Sequence, residues 1–416
     1  MSHRWAIFAV TSFNFFLSQF YRASNAVIAP QLMQDLSLDT QGLGLVSASF
    51  FYAFAITQIP LSILLDKLGP RRIMTALSLV GTIGAFIFSS ADSLSIGLLG
   101  RILLGVGMAC NLMGTLKLMT TWFGPHSFAT LSGIVFSIGT IGSIAATTPL
   151  VFLAREIGWR HSFILIAGVN LLITAVLFVV VRDRPQEKSL GTASSDSPFG
   201  LRQALFGLGV LLKRKDYWII SIGTFVGYGV FASFQTLWAG PYLMEAIGLS
   251  SMNAGNLILL MNIGYIAGGP TWGALSDRVL KARKKVILFG LLCMFSIMLS
   301  LTAFSQKTNL SVIALIFFSF GLFRSSGTLM YAHIKGLMPI EMAGTAMTGI
   351  NFFTMIGSAV FLQGLGNFMQ HIYPQAPRSP DAFHAGFFLC AACLAGTSCL
   401  YLFTKEKMRG SNRDDR

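Results

Sequence analysis

The 416-residue chain is 54% hydrophobic and 11% charged, with a formal net charge of +14. Soluble domains carry roughly 25% charged residues, so a chain this apolar falls in the polytopic membrane class and outside the soluble enzymes. The positive excess does not read as a nucleic-acid surface, because Lys and Arg cluster in short loops between apolar runs.

Apolar runs of about 20 residues, the length that spans a bilayer as helix, predict twelve transmembrane helices. The first six cover 5–33, 42–65, 72–91, 94–122, 128–153 and 160–181. The second six cover 216–244, 252–275, 285–304, 310–337, 342–369 and 383–403. Two six-helix bundles are expected, 1–182 and 216–404, joined by a polar, charged linker at 183–215 and followed by a tail at 405–416. The first apolar run is too long for a cleavable signal, and Arg22 interrupts it.

Placing the N-terminus in the cytoplasm puts 22 of the 30 Lys and Arg residues on that side and four outside, so both termini are expected to be cytoplasmic in a bacterial-type inner membrane. The halves also repeat. Pro30-Gln-Leu-Met-Gln-Asp-Leu-Ser-Leu38 aligns without a gap to Pro241-Tyr-Leu-Met-Glu-Ala-Ile-Gly-Leu249, and the same offset of 211 carries Asp66 onto Asp277. That pattern predicts two parallel bundles related by an axis along the membrane normal.

Charge inside the spans narrows the function. Arg22 and Arg324 lie near mid-depth, Arg101 nearer the outer face and Lys117 near the inner end, whereas all 16 acidic residues fall at helix ends, in loops or in tails. A guanidinium at depth is costly unless it faces a wet cavity or a partner. Two such groups without internal acids predict that the missing anion is a substrate, which a guanidinium binds through paired hydrogen bonds. Secondary lining candidates are Tyr21, Asn25, Gln235, Trp238, Asn262, Tyr265 and Asn351; each also fits a hydrogen bond between helices or an interfacial ring. Arg101 fits a structural role as well as a substrate contact. His333 is the one buried-looking group that titrates near neutral pH, which makes it a candidate proton site; a plain position near the cytoplasmic surface is the alternative.

The five cysteines (Cys110, Cys293, Cys390, Cys393 and Cys399) all sit in apolar spans, which argues against a disulfide framework. Cys390 and Cys393 have the spacing of a metal or redox pair, but inside an apolar helix they read as small packing residues. No cofactor or metal is called for, and no nucleophile–base constellation suggests an enzyme.

The segment Ser62-Ile-Leu-Leu-Asp66-Lys-Leu-Gly69-Pro-Arg71-Arg72 resembles the cytoplasmic signature G-x-L-x-D-R-x-G-R-K of the major facilitator superfamily. Gly273-Ala-Leu-Ser-Asp277-Arg278 is its second copy. Gly100-Arg101-Ile-Leu-Leu-Gly105-Val-Gly107 is similar to the family's R-x-x-x-G-x-G, and the resemblance covers essentially the whole chain. It implies an all-α polytopic membrane protein of twelve helices in two pseudo-symmetric bundles, working by alternating access. Asp66, Gly69, Arg71, Arg72, Asp277 and Arg278 would form a conformational latch. Exposed charge pairs of this kind are worth about 0–1 kcal/mol, which suits contacts that break in every cycle.

Phe20-Tyr-Arg22-Ala-Ser-Asn25-Ala-Val-Ile-Ala-Pro30 resembles, less closely, the first-helix pattern D-R-x-N-x-S-x-A-x-P of the organic-anion symporter branch. In that branch the Arg binds the substrate carboxylate. Tyr21 stands where the branch has Asp, and Met108 where its fourth helix has Glu, so both carboxylates that would carry protons are replaced. The expected function is therefore secondary transport of a small organic anion, a carboxylate or organophosphate, as symporter or antiporter. Its partners would be that anion, a coupling proton or counter-anion and the bilayer, with the chain acting as a monomer. An exporter of drugs or metabolites with the same fold is the runner-up. Such a carrier of cations would need a membrane-embedded Asp or Glu.

Overall fold

The computed structural model describes residues 3–123, 125–183, 211–280, 282–338 and 343–406; the side chains of 62, 63, 66, 125–130, 277, 278, 343–345 and 348 lie outside that description. Every element among the described residues is helical. Among the described residues nine helices are long and apolar enough to cross a membrane, and Leu131–Ala145 is a shorter apolar one. Of the expected linker, 184–210 lies outside the described residues, as does the tail beyond 406.

The chain divides into two compact units, Met1–Pro198 with Thr236–Pro241, and Phe199–Gln235 with Tyr242–Arg416. The first contains α1 (His3–Ala23), α2 (Asn25–Asp35), α3 (Thr40–Leu68), α4 (Pro70–Ser89), α5 (Leu94–Met108), α6 (Asn111–Phe123), α7 (Pro125–Ala145) and α8 (Thr148–Val180). Two expected spans are therefore interrupted: the first at Ser24, the fourth at Ala109–Cys110. The fifth is interrupted too, at Ala146–Thr147, and resumes at Thr148; the chain then kinks at Gly158, whose φ of 79° only glycine adopts without strain, close to the expected start of the sixth span at 160.

Inside this unit α4 packs along α5 and α8, and α1 along α7. Gly107 makes the first contact close: a Cβ there would strike the backbone of Gly81. Small residues allow such approaches where lipid supplies no hydrophobic drive between helices. Amides stitch the interior across four helices. Asn14 Nδ2 donates to Ser78 Oγ (2.8 Å) and Asn111 Oδ1 (3.0 Å), and Asn170 Nδ2 donates to Thr82 Oγ1 (2.9 Å). Lys117 Nζ donates to the Leu65 carbonyl at 2.8 Å, tying α6 to the end of α3.

The second unit begins with α9 (Lys215–Ser233), which runs into a π-helical turn Phe234–Trp238 and Ala239–Pro241, the stretch whose Thr236–Pro241 groups with the first unit; it continues with a second π-turn Tyr242–Ala246 and α10 (Ser251–Ala274). After these come α11 (Arg283–Leu301), α12 (Leu310–Arg324), a 3-10 turn Ser325–Thr328, α13 (Leu329–Leu337), α14 (Ala343–Ile372) and α15 (Pro380–Tyr401). Here α9 packs along α14, α10 along α12, and α11 along α15. A Cβ on Gly321 would strike the Met261 carbonyl, so α12 meets α10 backbone to backbone.

The repeat read from the sequence has a physical counterpart. Asp35, closing α2, pairs with Arg160 and accepts from Trp159 Nε1 at 2.9 Å. Glu245, closing the corresponding helix of the second unit, pairs with Arg378 at 2.6 Å. In each unit a carboxylate at the end of the first span is held by an arginine from the chain leading into the last.

Candidate functional site

In the first unit the site is built around the break in the first span. Arg22 lies in the last turn of α1, 9% exposed, with its guanidinium over the rings of Phe51 (5.6 Å) and Phe54 (5.1 Å). Those phenylalanines stand three residues apart on one face of α3, so cation–π attraction holds the charge against that face. Beyond the break, Asn25 Nδ2 donates to Ser47 Oγ of α3 at 2.9 Å.

Tyr21 is fully buried, and among the described residues its hydroxyl has no hydrogen-bond partner. Its carbonyl accepts from Ser24 Oγ at 3.1 Å and from Arg101 Nη1 at 2.9 Å. Arg101 is 0% exposed, its guanidinium 5.0 Å from the Phe50 ring and 5.7 Å from that of Phe88.

In the second unit Arg324 ends α12 and is 5% exposed. Its guanidinium lies 5.1 Å from the Tyr228 ring centre, and the phenols of Tyr265, Tyr228 and Tyr331 are its electrostatic neighbours. Among the described residues its Nε has no hydrogen-bond partner. The side chain runs across Gly327, where any Cβ would collide with Nη1. Tyr331 donates to Asn351 Oδ1 (3.0 Å) and lies 3.2 Å from Thr354 Oγ1, and Tyr265 stacks on Phe231. Gln235 Nε2 donates to Asn262 Oδ1 at 2.5 Å, while Trp238 is buried in its π-turn.

The structure thus gathers Arg324, Tyr265 and Asn351 into one polar cluster, pairs Gln235 with Asn262, and sets Tyr21 and Arg22 at the helix break with Arg101 behind them. Sequence reasoning missed Tyr228, Tyr331, Thr354, Gly327, Phe51 and Phe54. Two of these carried a signal: Tyr331 follows Arg324 by seven residues, two turns on the same face, and Tyr228 precedes Gln235 by the same interval.

His333 is 3% exposed and bonded at both ring nitrogens, Nδ1 to the Tyr401 hydroxyl (2.7 Å) and Nε2 to the Lys405 carbonyl (2.9 Å). A carbonyl only accepts, so Nε2 carries the ring proton and Nδ1 accepts from Tyr401. At the expected latch, Gly69 adopts φ 80°, Arg71 Nε donates to the Phe178 carbonyl at 2.9 Å, and Arg72 is exposed. The side chains of Asp66, Asp277 and Arg278 lie outside the described residues. All five thiols are free, and no group of His, Cys, Asp or Glu among the described residues has the makings of a metal site.

Two units of apolar helices, each carrying a desolvated guanidinium near a break in a helix, are the architecture of a secondary transporter. The chain belongs to the Major Facilitator Superfamily, whose family model matches residues 11–362. It is 26% identical over 377 residues to a probable sulfoacetate transporter of Cupriavidus necator, covering 86% of each chain. It is 28% identical over 394 residues to a probable galactarate/D-glucarate transporter of Bacillus subtilis, covering 86% of this chain and 84% of that one. Among solved structures it matches a bacterial homologue of the human lysosomal transporter Spinster in an inward-facing, unoccupied conformation, with TM-score 0.77, 17% identity and 96% of both chains covered. It also matches a D-xylose–proton symporter, with TM-score 0.73, 15% identity and 94% and 97% covered. The last two likenesses concern the fold.

Proposed function

We propose that the protein moves a small organic anion across the membrane by alternating access, with Arg22 in the first unit and Arg324 in the second each binding anionic oxygens. The observation that carries this reading is Arg324: a guanidinium 5% exposed, which among the described residues is ringed by phenols and has an Nε without a hydrogen-bond partner. A desolvated cation of this kind is stabilised by an anionic ligand. Sulfoacetate, galactarate and glucarate, named for the relatives, are small organic anions of that chemistry. Tyr21, Asn25, Gln235, Trp238, Asn262, Tyr265 and Asn351 supply polar and aromatic lining.

Both termini are cytoplasmic in this reading, following the distribution of Lys and Arg. Asp66, Gly69, Arg71, Arg72, Asp277 and Arg278 act in the conformational cycle, and the working form is a monomer. The bonds at both His333 nitrogens favour exchange against a second anion, or a proton carried by the substrate, over a His333 relay.

Thermal-shift and calorimetric titration of the purified protein with sulfoacetate, galactarate and cationic dyes test the reading. The anions are expected to stabilise the wild type. Arg22→Gln or Arg324→Gln should each cost about 2–5 kcal/mol of binding, the cost of leaving a buried charge contact half made. Arg→Lys at either position should rescue poorly, because an ammonium lacks the planar fork. Stabilisation by dyes alone would instead establish a drug exporter.

A further inference from the structure

We infer that Arg101 is a positioning residue for Arg22, holding the peptide plane from which Arg22 projects; this rests on the anion-transport reading. The bond from Arg101 Nη1 reaches the Tyr21 carbonyl at 2.9 Å. That carbonyl and the amide nitrogen of Arg22 share one rigid peptide unit, so a donor fixed on the oxygen fixes the plane that sets the direction of the Arg22 side chain.

The location explains why a charged donor stands there. In an unbroken helix the Tyr21 carbonyl would accept from the N–H of Asn25. The helix instead ends at Ala23 and restarts at Asn25, so the carbonyl sits at the discontinuity. In a membrane interior a freed backbone acceptor has to find its donor within the protein. Two side chains serve: Ser24 Oγ from the break itself at 3.1 Å, and Arg101 from α5, 80 residues on. The resulting plane leaves the Arg22 guanidinium over Phe51 and Phe54.

Direct contact between Arg101 and substrate fits the surroundings less well. The side chain is 0% exposed, and the rings of Phe50 and Phe88 lie within 5.0 and 5.7 Å of its guanidinium carbon. Its Nε is buried without a hydrogen-bond partner among the described residues. An anion at Arg101 would need one of those rings to leave. For the role inferred, a single N–H suffices. Arg101 therefore tolerates an ammonium in its place, whereas Arg22, binding an oxyanion through a fork, does not.

The test measures affinity for galactarate and sulfoacetate by calorimetry, and melting temperature without ligand, in detergent-purified full-length protein. Arg101→Gln is expected to weaken binding by about tenfold or more in the wild-type background, but by less than about twofold in an Arg22→Gln background, since residues acting through one another are non-additive. Arg101→Lys should return affinity to within about threefold of wild type while Arg22→Lys does not, because one donor meets a carbonyl but not a carboxylate fork. Ser24→Ala, which removes the companion donor from the same oxygen, should weaken binding in the same direction and also lose its effect in Arg22→Gln. If Arg101→Gln does not fold, Arg101→Lys and Ser24→Ala carry the comparison.

Equal losses in both backgrounds would mean that Arg101 touches the anion, and would overturn the inference while leaving the transport reading intact. A lowered melting temperature with unchanged affinity would make it a purely structural bond, and would also overturn it. Failure of every anion to bind the wild type would overturn the transport reading and the inference together.

Discussion

The backbone N–H of Arg71 donates to Asp183 Oδ1 at 2.8 Å, so a carboxylate just beyond α8 caps the helix that begins at Pro70. The residue in the N-cap position, Gly69, has no side chain to do this and holds φ 80°. The cap therefore comes from 112 residues along the chain, and Arg71 returns the contact by bonding the Phe178 carbonyl and covering the Phe178 ring at 4.7 Å.

Asp183→Ala should therefore destabilise the protein by about 0.5–2 kcal/mol, the usual cost of losing a cap, and Asp183→Asn by less because an oxygen remains. Gly69→Ala should cost more than Asp183→Ala, since its Cβ would need a left-handed backbone and would meet the Asp183 carboxylate. Melting temperatures in detergent decide the order. Equal loss from Asp183→Asn and Asp183→Ala would mean that charge, not the cap, matters.

The Asp35 carboxyl is held below the ordinary carboxylate range by the Trp159 hydrogen bond first, then by Arg160, against the opposing effect of burial. A depressed folded-state pKa gives stability that is present above the unfolded pKa and lost as pH falls through the folded value. Wild type should therefore lose more melting temperature than Asp35→Asn on going from pH 6 to pH 3. The two curves should converge at the acid end. Parallel curves would show that the pair contributes nothing, as for many exposed ion pairs.

His333 is satisfied as it stands, donating from Nε2 to Lys405 and accepting from Tyr401 at Nδ1. A second ring proton would face the Tyr401 hydroxyl, which would then have to turn its own hydrogen away. His333→Gln is expected to lower melting temperature through the lost ties to Tyr401 and Lys405. The pH dependence of uptake into vesicles should be unchanged. Loss of gradient-driven uptake with stability intact would restore His333 as a proton carrier.

Gly327→Ala inserts a methyl group where the Arg324 guanidinium lies. Displacing that group by even a fraction of an ångström misaligns a bidentate contact, so anion affinity should fall about tenfold, a step of 1.4 kcal/mol. A control, Gly364→Ala, adds the same methyl where nothing lies within 4 Å. Equal affinities in the two variants would show that Arg324 does not hold the anion.

Much of this was legible in the sequence, and the rest fails for identifiable reasons. The span order was readable because bilayer thickness forces about 20 apolar residues per helix. The 211-residue offset identified helices whose ends are held alike, at Asp35 and at Glu245. The breaks were hidden. Pro30, the obvious breaker, sits inside α2, while the interruption falls six residues earlier, at a serine that carries no such signal. The π-turns around Trp238 leave the composition untouched. Arg22, Arg101 and Arg324 were found because a charge at depth stands out in an apolar run. The Tyr21 carbonyl was not, since backbone acceptors are present at every residue and only folding selects one.

The amide stitching of the first unit bears on how the chain is made. Ser78 and Thr82 enter the membrane while residue 170 is still to be synthesised, yet Thr82 Oγ1 accepts from Asn170 and Ser78 Oγ from Asn14. A nascent chain halted after α6 holds Asn14, Ser78 and Asn111 together but leaves Thr82 without Asn170. The Thr82 hydroxyl meanwhile keeps its own bond to the Ser78 carbonyl at 3.0 Å, so what is missing is the tie between helices. The polar stitching of the first unit is therefore complete only once α8, which carries Asn170, is in place.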